Sequence, residues 1–204
     1  MSDPIALFAI ATAFTIVTSA PGPANLACAT TAASQGRRAG FAIAFGLAIG
    51  LSFWGLIAAS GLGALMGASQ SALFGLKLLG GAYLLWLAWM SARAKSTEVR
   101  TRVQSWSIKA LVLRGLFLNV SNPKAVFAWM ATLSVGLNPE VGGVFLAVLL
   151  CSFIGLLNYM IWALAFSHFR AMQVYDKFAR RIDLIVAALF AFAGLSLIKN
   201  AFGR

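Results

Sequence analysis

The chain has 204 residues, of which 61% are hydrophobic and only 10% charged, with a formal net charge of +11. A typical soluble domain has about 25% charged residues and far more polar surface than this composition can supply. The composition therefore excludes a soluble protein and indicates an integral membrane protein. No polar stretch is long enough for a second domain, so we expect one membrane domain over residues 1–204.

Six apolar stretches reach the length of about 20 residues that lets a helix cross a bilayer. They lie at residues 5–33, 41–66, 70–92, 110–136, 141–167 and 183–202. The predicted fold class is an all-α integral membrane protein with six transmembrane helices. Asp3 precedes the first stretch and no basic residue occurs before Arg37. This pattern is not that of a cleavable signal, so the first stretch should stay in the membrane.

The basic residues predict how the chain is oriented. Twelve of the sixteen Lys and Arg residues fall in the connections after the first, third and fifth stretches. The positive-inside rule assigns that side to the cytoplasm, so both termini are predicted outside. Basic residues beside membrane spans are explained by topology and lipid headgroups, and nucleic-acid binding is not expected.

Proline interrupts two of the apolar stretches, at Pro21–Asn25 and at Asn122–Lys124. A basic linker, residues 93–109, divides the chain into halves of three spans each, about 1–92 and 110–204. Halves with an odd number of spans cross the membrane in opposite directions. The sequence therefore predicts two inverted three-helix repeats in which spans 1 and 4 are both broken at proline, a pattern typical of transporters.

Two weaker patterns concern helix packing. Leu79–Leu85 and Phe192–Ile198, in the third and sixth spans, look faintly alike and agree with a repeat. Gly46 and Gly50 form a small-xxx-small pair that allows close helix approach. Such a face serves either packing inside one subunit or a homodimer seam, and the sequence leaves both open.

The two breaks predict a binding site for a zwitterion. Proline frees the carbonyl group four residues before it, which should expose those of Val17, Ser19 and Asn119. A half-helix N-terminus suits a carboxylate and a half-helix C-terminus suits an ammonium group. The predicted substrate-binding residues are Ser19, Pro21, Gly22, Pro23, Asn25, Asn119, Asn122, Pro123, Lys124 and, in the fifth span, Asn158.

Lys124 follows the second break directly. A charge near the middle of a membrane costs roughly 2.5–3.5 kcal/mol on insertion scales, so it usually has a task or a partner. One interpretation is a contact with a substrate carboxylate, or a charge that changes during transport. The other is a lysine whose long side chain reaches the membrane surface.

Neither metal binding nor enzymatic catalysis is predicted. No acidic residue lies in the middle of a span, although a transition-metal site would need clustered His, Cys or carboxylate ligands. Cys28 and Cys151 lie far apart without ligand-like spacing and are interpreted as small buried hydrophobic residues. No Ser–His or carboxylate pair shares one apolar region. We therefore expect no catalytic residue and no cofactor.

Four short segments match one family pattern in the right order over nearly the full length. They are Pro21–Asn25, Gly36–Gly40, Lys77–Leu84, and Gly115–Asn119 running into Asn122–Ala125. In these segments the chain resembles the LysE/RhtB family of bacterial amino-acid exporters. The resemblance implies six spans in the bacterial inner membrane and efflux of amino acids or close derivatives, with protons as the coupling ion.

One departure from the family pattern concerns the substrate. Family members often carry Pro-Gln-Phe after the Asn-Pro-Lys element, where this chain has Leu133-Ser134-Val135. The exported amino acid is therefore not assigned. Related families export metal ions or pass electrons across the membrane through cysteines, so a metal-ion exporter or a membrane thiol-redox carrier is the alternative function.

Overall fold

A computed structural model describes residues 4–66, 70–93, 105–136 and 141–202, and these residues form eight α-helices without any strand. The helices are α1 (Pro4–Ser19), α2 (Pro23–Gln35), α3 (Arg37–Met66), α4 (Gln70–Arg93), α5 (Ile108–Val120), α6 (Pro123–Gly136), α7 (Val141–Ala165) and α8 (Phe169–Phe202). The predicted all-α class is confirmed for these ranges. Most of the predicted basic linker lies outside the described residues.

Both predicted proline breaks interrupt the helices. The chain leaves the helical conformation between Ser19 and Pro23, and again between Val120 and Pro123. Proline suits the first position of a helix, because its fixed φ is helical and its missing N–H would have no partner there. Each break is thus the end of one half-helix and the start of the next, and α1 and α2 meet at a bend of 59°.

Three of the described helices are long and apolar enough to cross a membrane, over Arg37–Ser60, Gly143–Ala165 and Lys177–Phe202. Counting the bent pair α1–α2 as one span raises the number to four. Several apolar helices compatible with a membrane protein are thus present among the described residues, and the number of six spans stays a prediction. Helix α8 begins at Phe169, well before the expected start at residue 183.

The buried apolar side chains form two clusters. One joins α1, α2, α3, α5, α6 and α7, and includes Phe14, Leu47 and Trp129. The other joins α4 and α8 to parts of α1 and α6, and includes Tyr83 and Phe190. Helices α1 and α6 contribute to both clusters, so the two broken segments connect the α4–α8 pair to the rest of the protein.

Glycine lets two pairs of helices approach at backbone distance. A Cβ atom at Gly46 would lie 2.0 Å from the Val112 carbonyl oxygen, so α3 and α5 are in backbone contact there. Gly50 packs against α5 in the same way, at Leu116. These two glycines of the predicted small-xxx-small pair therefore serve packing inside one subunit.

Helices α4 and α8 cross at a pair of glycines. A Cβ atom at Gly81 would lie 3.0 Å from the Gly194 carbonyl oxygen, and one at Gly194 would lie 2.8 Å from the Gly81 carbonyl oxygen. The contact is reciprocal, and it continues with Ile198 against Gly81 and Leu85 against Gly194. Each glycine thus also contacts the residue that lies four positions after the other glycine.

The close approach of α3 and α5 predicts a large effect of Gly46→Ala. The added methyl group would collide with backbone atoms that cannot move aside, and overpacking costs about 1–3 kcal/mol. Gly75→Ala is the matched control, because no heavy atom lies within 4 Å of its Cβ position. Thermal denaturation of the detergent-solubilised protein should show a lower midpoint for Gly46→Ala alone; equal midpoints would contradict this packing.

Candidate functional site

The two helix breaks meet at one small cavity. The centre of a water molecule can occupy about 20 Å³ inside it, which is room for one or two waters and too little for an amino acid. Its lining comes from six helices and both breaks: Val17, Thr18, Gly22, Ala24, Asn25, Leu51, Asn119, Asn122, Lys124, Ala125, Ala128 and Tyr159. The cavity therefore has a mixed polar and apolar surface.

Asn25 satisfies the open end of α1. Its side-chain Nδ2 donates to the Thr18 carbonyl oxygen at 2.7 Å and to the Ala20 carbonyl oxygen at 2.9 Å. The last carbonyl groups of a helix have no partner within that helix, and Asn25 is only 2% exposed. Asn158 of α7 adds a third bond, donating to the Thr18 carbonyl oxygen at 3.2 Å.

Lys124 links the two breaks directly. Its Nζ donates to the Ala20 carbonyl oxygen at 2.7 Å, so the start of α6 is bonded to the end of α1. The lysine side chain lies against Gly22, where a Cβ atom would come within 3.1 Å of Nζ. Nζ also lies 5.9 Å from the centre of the Phe190 ring on α8. In this structure the ammonium group is held at the first break rather than extended to a membrane surface.

The second break is held by a chain of buried amides. The Asn122 side-chain oxygen accepts from the Lys124 backbone N–H at 3.0 Å, which caps α6, and its Nδ2 donates to Asn119 Oδ1 at 3.3 Å. Asn119 is fully buried and donates to the Leu47 carbonyl oxygen at 2.6 Å and to the Tyr159 hydroxyl at 3.0 Å. The network therefore fixes the end of α5 against α3 and α7.

The predicted set of freed carbonyl groups was partly wrong. The Asn119 carbonyl oxygen accepts the Asn122 backbone N–H at 3.2 Å, because the chain tightens into a turn before Pro123. At the first break the side-chain donors reach the carbonyl groups of Thr18 and Ala20 instead of Val17 and Ser19. The chain leaves the helix there, so counting four residues back from proline no longer identifies the free group.

Five of the ten predicted site residues line the cavity, namely Gly22, Asn25, Asn119, Asn122 and Lys124. Asn158 lies next to it, donating to Asn25 Oδ1 at 3.3 Å. The other four do not line it, and they are Ser19, Pro21, Pro23 and Pro123. Three of these, Ser19, Pro23 and Pro123, are exposed. The two prolines therefore act by starting α2 and α6.

The prediction missed Tyr159 and the apolar part of the lining. Tyr159 follows Asn158 directly, and its buried hydroxyl carries the bond from Asn119. The apolar lining residues Val17, Leu51, Ala125 and Ala128 are ordinary residues in apolar helices. No pattern in the sequence distinguishes them from other packing residues.

The two half-helix starts differ in how they are capped. Asn122 caps α6 with its own side chain, whereas α2 begins after Gly22, which has no side chain that could cap it. The backbone N–H groups of the first turn of α2 therefore lack helical partners and form a positive end. Since Ala24, Asn25 and Lys124 all line the cavity, this corner can attract an anion.

The two cysteines that a membrane thiol-redox carrier would use lie outside the cavity lining. Cys28 and Cys151 are buried free thiols outside the cavity lining. The Sγ atom of Cys28 donates to the Tyr159 carbonyl oxygen at 3.2 Å. Within the described ranges, no group of three or more His, Cys, Asp or Glu side chains could hold a metal ion.

Comparison with known proteins gives one family. Residues 15–201 match the family described as LysE type translocator. A membrane protein of Haemophilus influenzae is 31% identical, covering 88% of this chain and 90% of its own. The threonine efflux protein of Salmonella typhi is 26% identical, covering 94% of this chain and 96% of its own. The cysteine/O-acetylserine efflux protein of Klebsiella pneumoniae is also 26% identical, covering 91% of this chain and 93% of its own. No solved structure matches the chain significantly.

The amide of Asn25 should be essential for stability as well as for the site. Asn25→Ala removes two buried hydrogen bonds, those to the Thr18 and Ala20 carbonyl groups, and each hydrogen bond contributes about 0.5–1.5 kcal/mol net. Asn200→Ala makes the same change at an exposed position of α8. We expect a lower denaturation midpoint only for Asn25→Ala, and an unchanged midpoint would show that this bond is dispensable.

Proposed function

The chain belongs to the LysE type translocator family, and we propose that it is a secondary transporter that exports amino acids or close derivatives from the bacterial cytoplasm. The observation that carries this proposal is the meeting of both helix breaks at one cavity, where Lys124 of one break bonds to Ala20 of the other. The efflux activities in the names of the threonine and cysteine/O-acetylserine relatives support the same class of substrate.

The geometry suggests how a zwitterion binds. Its carboxylate lies between the Lys124 ammonium and the uncapped start of α2, where a positive charge and free N–H groups coincide. Drawn to that carboxylate, Lys124 releases the Ala20 carbonyl oxygen. The substrate's own ammonium group then takes the place of Lys124 at this oxygen. A molecule lacking either charge leaves one of these groups without a partner, which costs binding free energy.

Binding requires the cavity to widen, because its volume in this structure has room only for water. The α4–α8 pair is the unit that we propose to move, since it has its own buried cluster and contacts the other helices mainly through α6. Both broken helices carry the substrate-binding groups and both contact this pair. A motion of the pair therefore acts directly on the site.

Proton coupling is part of the proposal, on the resemblance to the exporter family. The titratable side chains in the cavity lining are those of Lys124 and Tyr159. Lys124 is the better candidate for the group whose charge changes, because its partner changes when substrate binds.

The inverted repeat is supported by the crossing of α4 and α8. Gly81 and Gly194 occupy equivalent positions in the two similar segments of the third and sixth spans, and they contact each other reciprocally. A two-fold axis relating two inverted halves would pass through such a contact. We propose six spans in this arrangement, as a single domain in the inner membrane with both termini outside.

A transport assay tests the role of Lys124 together with the substrate class. In proteoliposomes with an imposed pH gradient, the wild type should transport labelled amino acids and reject the corresponding decarboxylated amines. Lys124→Met should weaken substrate affinity about tenfold or more, because a hydrogen bond to a charged group contributes about 1.5–3 kcal/mol. Lys124→Arg should be only partly active, since its larger planar head does not fit beside Gly22.

Lys177→Met provides the matched control, because Lys177 is exposed near the start of α8. Equal transport by Lys124→Met and Lys177→Met would refute the role of Lys124. A transport rate that does not depend on the pH gradient would refute proton coupling. Failure to transport any amino acid would refute the proposed function itself.

Orientation is tested with reporter fusions. A reporter that is active only in the periplasm should be active when it is inserted between α3 and α4 or fused behind α8, because those positions lack the dense basic residues of the other side. The same reporter between α2 and α3 should be inactive. The opposite pattern would reverse the orientation and leave the site geometry unchanged.

A further inference from the structure

We propose that Phe14 and Trp129 form the outer gate of the cavity, and that Thr132 and Ser152 line the exit path beyond that gate. The inference rests on the proposed export function for its direction. The gate itself follows from contacts between buried side chains of α1, α3, α6 and α7.

The gate is an aromatic pair held from several sides. The ring centres of Phe14 and Trp129 are 4.7 Å apart, and both side chains are fully buried. The indole Nε1 of Trp129 donates to the carbonyl oxygen of Leu51, a cavity-lining residue, at 2.8 Å. Gly55 makes room for this indole, since a Cβ atom there would lie 2.6 Å from the ring. The pair thus fills the space between α1, α3 and α6.

The pair lies at one edge of the cavity. Phe14 is one helical turn before Thr18 on α1, and Trp129 is one turn after Ala125 on α6. Because the two rings touch, both turns lead away from the cavity in the same direction. In the proposed orientation that direction is outward, since the start of α1 and the end of α6 both lie outside.

Two buried hydroxyl groups without partners lie beyond the pair. Thr132 is one turn past Trp129 and is 1% exposed, and its Oγ1 makes no hydrogen bond. Ser152 lies two turns before Tyr159 on α7, on the same helix face, and its buried Oγ has no partner either. Helices α6 and α7 both pack against α1.

Thr132 and Ser152 differ from several other hydroxyl side chains of the described helices. Six such side chains donate to the carbonyl group four residues before them, namely Thr12, Thr15, Thr18, Ser34, Ser52 and Ser60. Thr132 and Ser152 have the same option and do not use it in this structure. A buried hydroxyl without a partner is unfavourable, and it acquires partners when water or a polar solute enters.

These observations define two polar regions separated by an apolar plug. On one side are the amides and Lys124 of the cavity, and on the other are the hydroxyls of Thr132 and Ser152. When the Trp129 indole leaves the Leu51 carbonyl oxygen, the two regions join. The exported solute and its water then pass along the hydroxyl groups.

The gate is tested by thiol labelling, which needs no substrate. Ala128→Cys, in a background with Cys28→Ala and Cys151→Ala, places one thiol in the cavity. A membrane-impermeant, cationic methanethiosulfonate reagent is added from outside, and labelling is followed by mass spectrometry. Adding Trp129→Ala should raise the labelling rate at least tenfold. Trp162→Ala, which removes an indole stacked on Phe166 near the end of α7, should not.

Phe14→Ala serves as a second gate variant if Trp129→Ala does not fold. Equal labelling rates in the gate variants and in Trp162→Ala would overturn the gate. If the gate variants label faster but no amino acid is transported by the wild type, the gate stands and the proposed function fails. Labelling and transport therefore separate the two hypotheses.

The exit path is tested by removing the hydroxyl groups. Thr132→Val and Ser152→Ala delete donors that have no partner in this structure, so the denaturation midpoint should be unchanged or higher. The export rate of the double variant should nevertheless fall at least threefold. Thr12→Val is the control, because the Thr12 hydroxyl is exposed and bonded to the Phe8 carbonyl oxygen. A double variant that exports at the wild-type rate would remove these residues from the path.

Discussion

The structure depends on satisfying backbone carbonyl groups at two interrupted helices in an apolar surrounding. In lipid such groups must find partners within the protein, and here the second break supplies one of the partners that the first break needs. Asn25 and Lys124 both bond to the end of α1, although Lys124 belongs to the second break. Because these bonds are made by groups at the cavity, the groups that stabilise this structure are also those that a charged solute would compete for.

The two interrupted helices are held between two packed clusters of buried side chains. The cluster around α3 relies on glycine contacts between backbones, which leave little freedom for rearrangement. The α4–α8 cluster is separate and shares only α1 and α6 with it. The site therefore lies where a rigid part and a more independent part of the same chain meet.

Prediction from the sequence succeeded where a feature depends only on composition or on neighbouring residues. Proline positions predicted both breaks, composition predicted the all-α membrane class, and polar residues beside proline predicted Asn25, Asn119, Asn122 and Lys124. Contacts between distant segments were beyond such rules. The bond from Lys124 to Ala20 spans 104 positions, and the apolar lining arises only when six helices converge. The Asn119 carbonyl was misassigned because its turn depends on local backbone geometry.

The crossing of α4 and α8 at Gly81 and Gly194 has a mechanical consequence. The two glycines bring the backbones of α4 and α8 into contact, with Ile198 and Leu85 packed beside them, so the pair can turn as one lever with this crossing as its fulcrum. The arm of α8 from Gly194 back to Phe169 is roughly 37 Å long at about 1.5 Å per residue. A rotation of about 5° at the fulcrum displaces the far end of such an arm by roughly 3 Å. Small angular changes at one point are thus enlarged at the helix ends, while the fulcrum itself keeps its contacts.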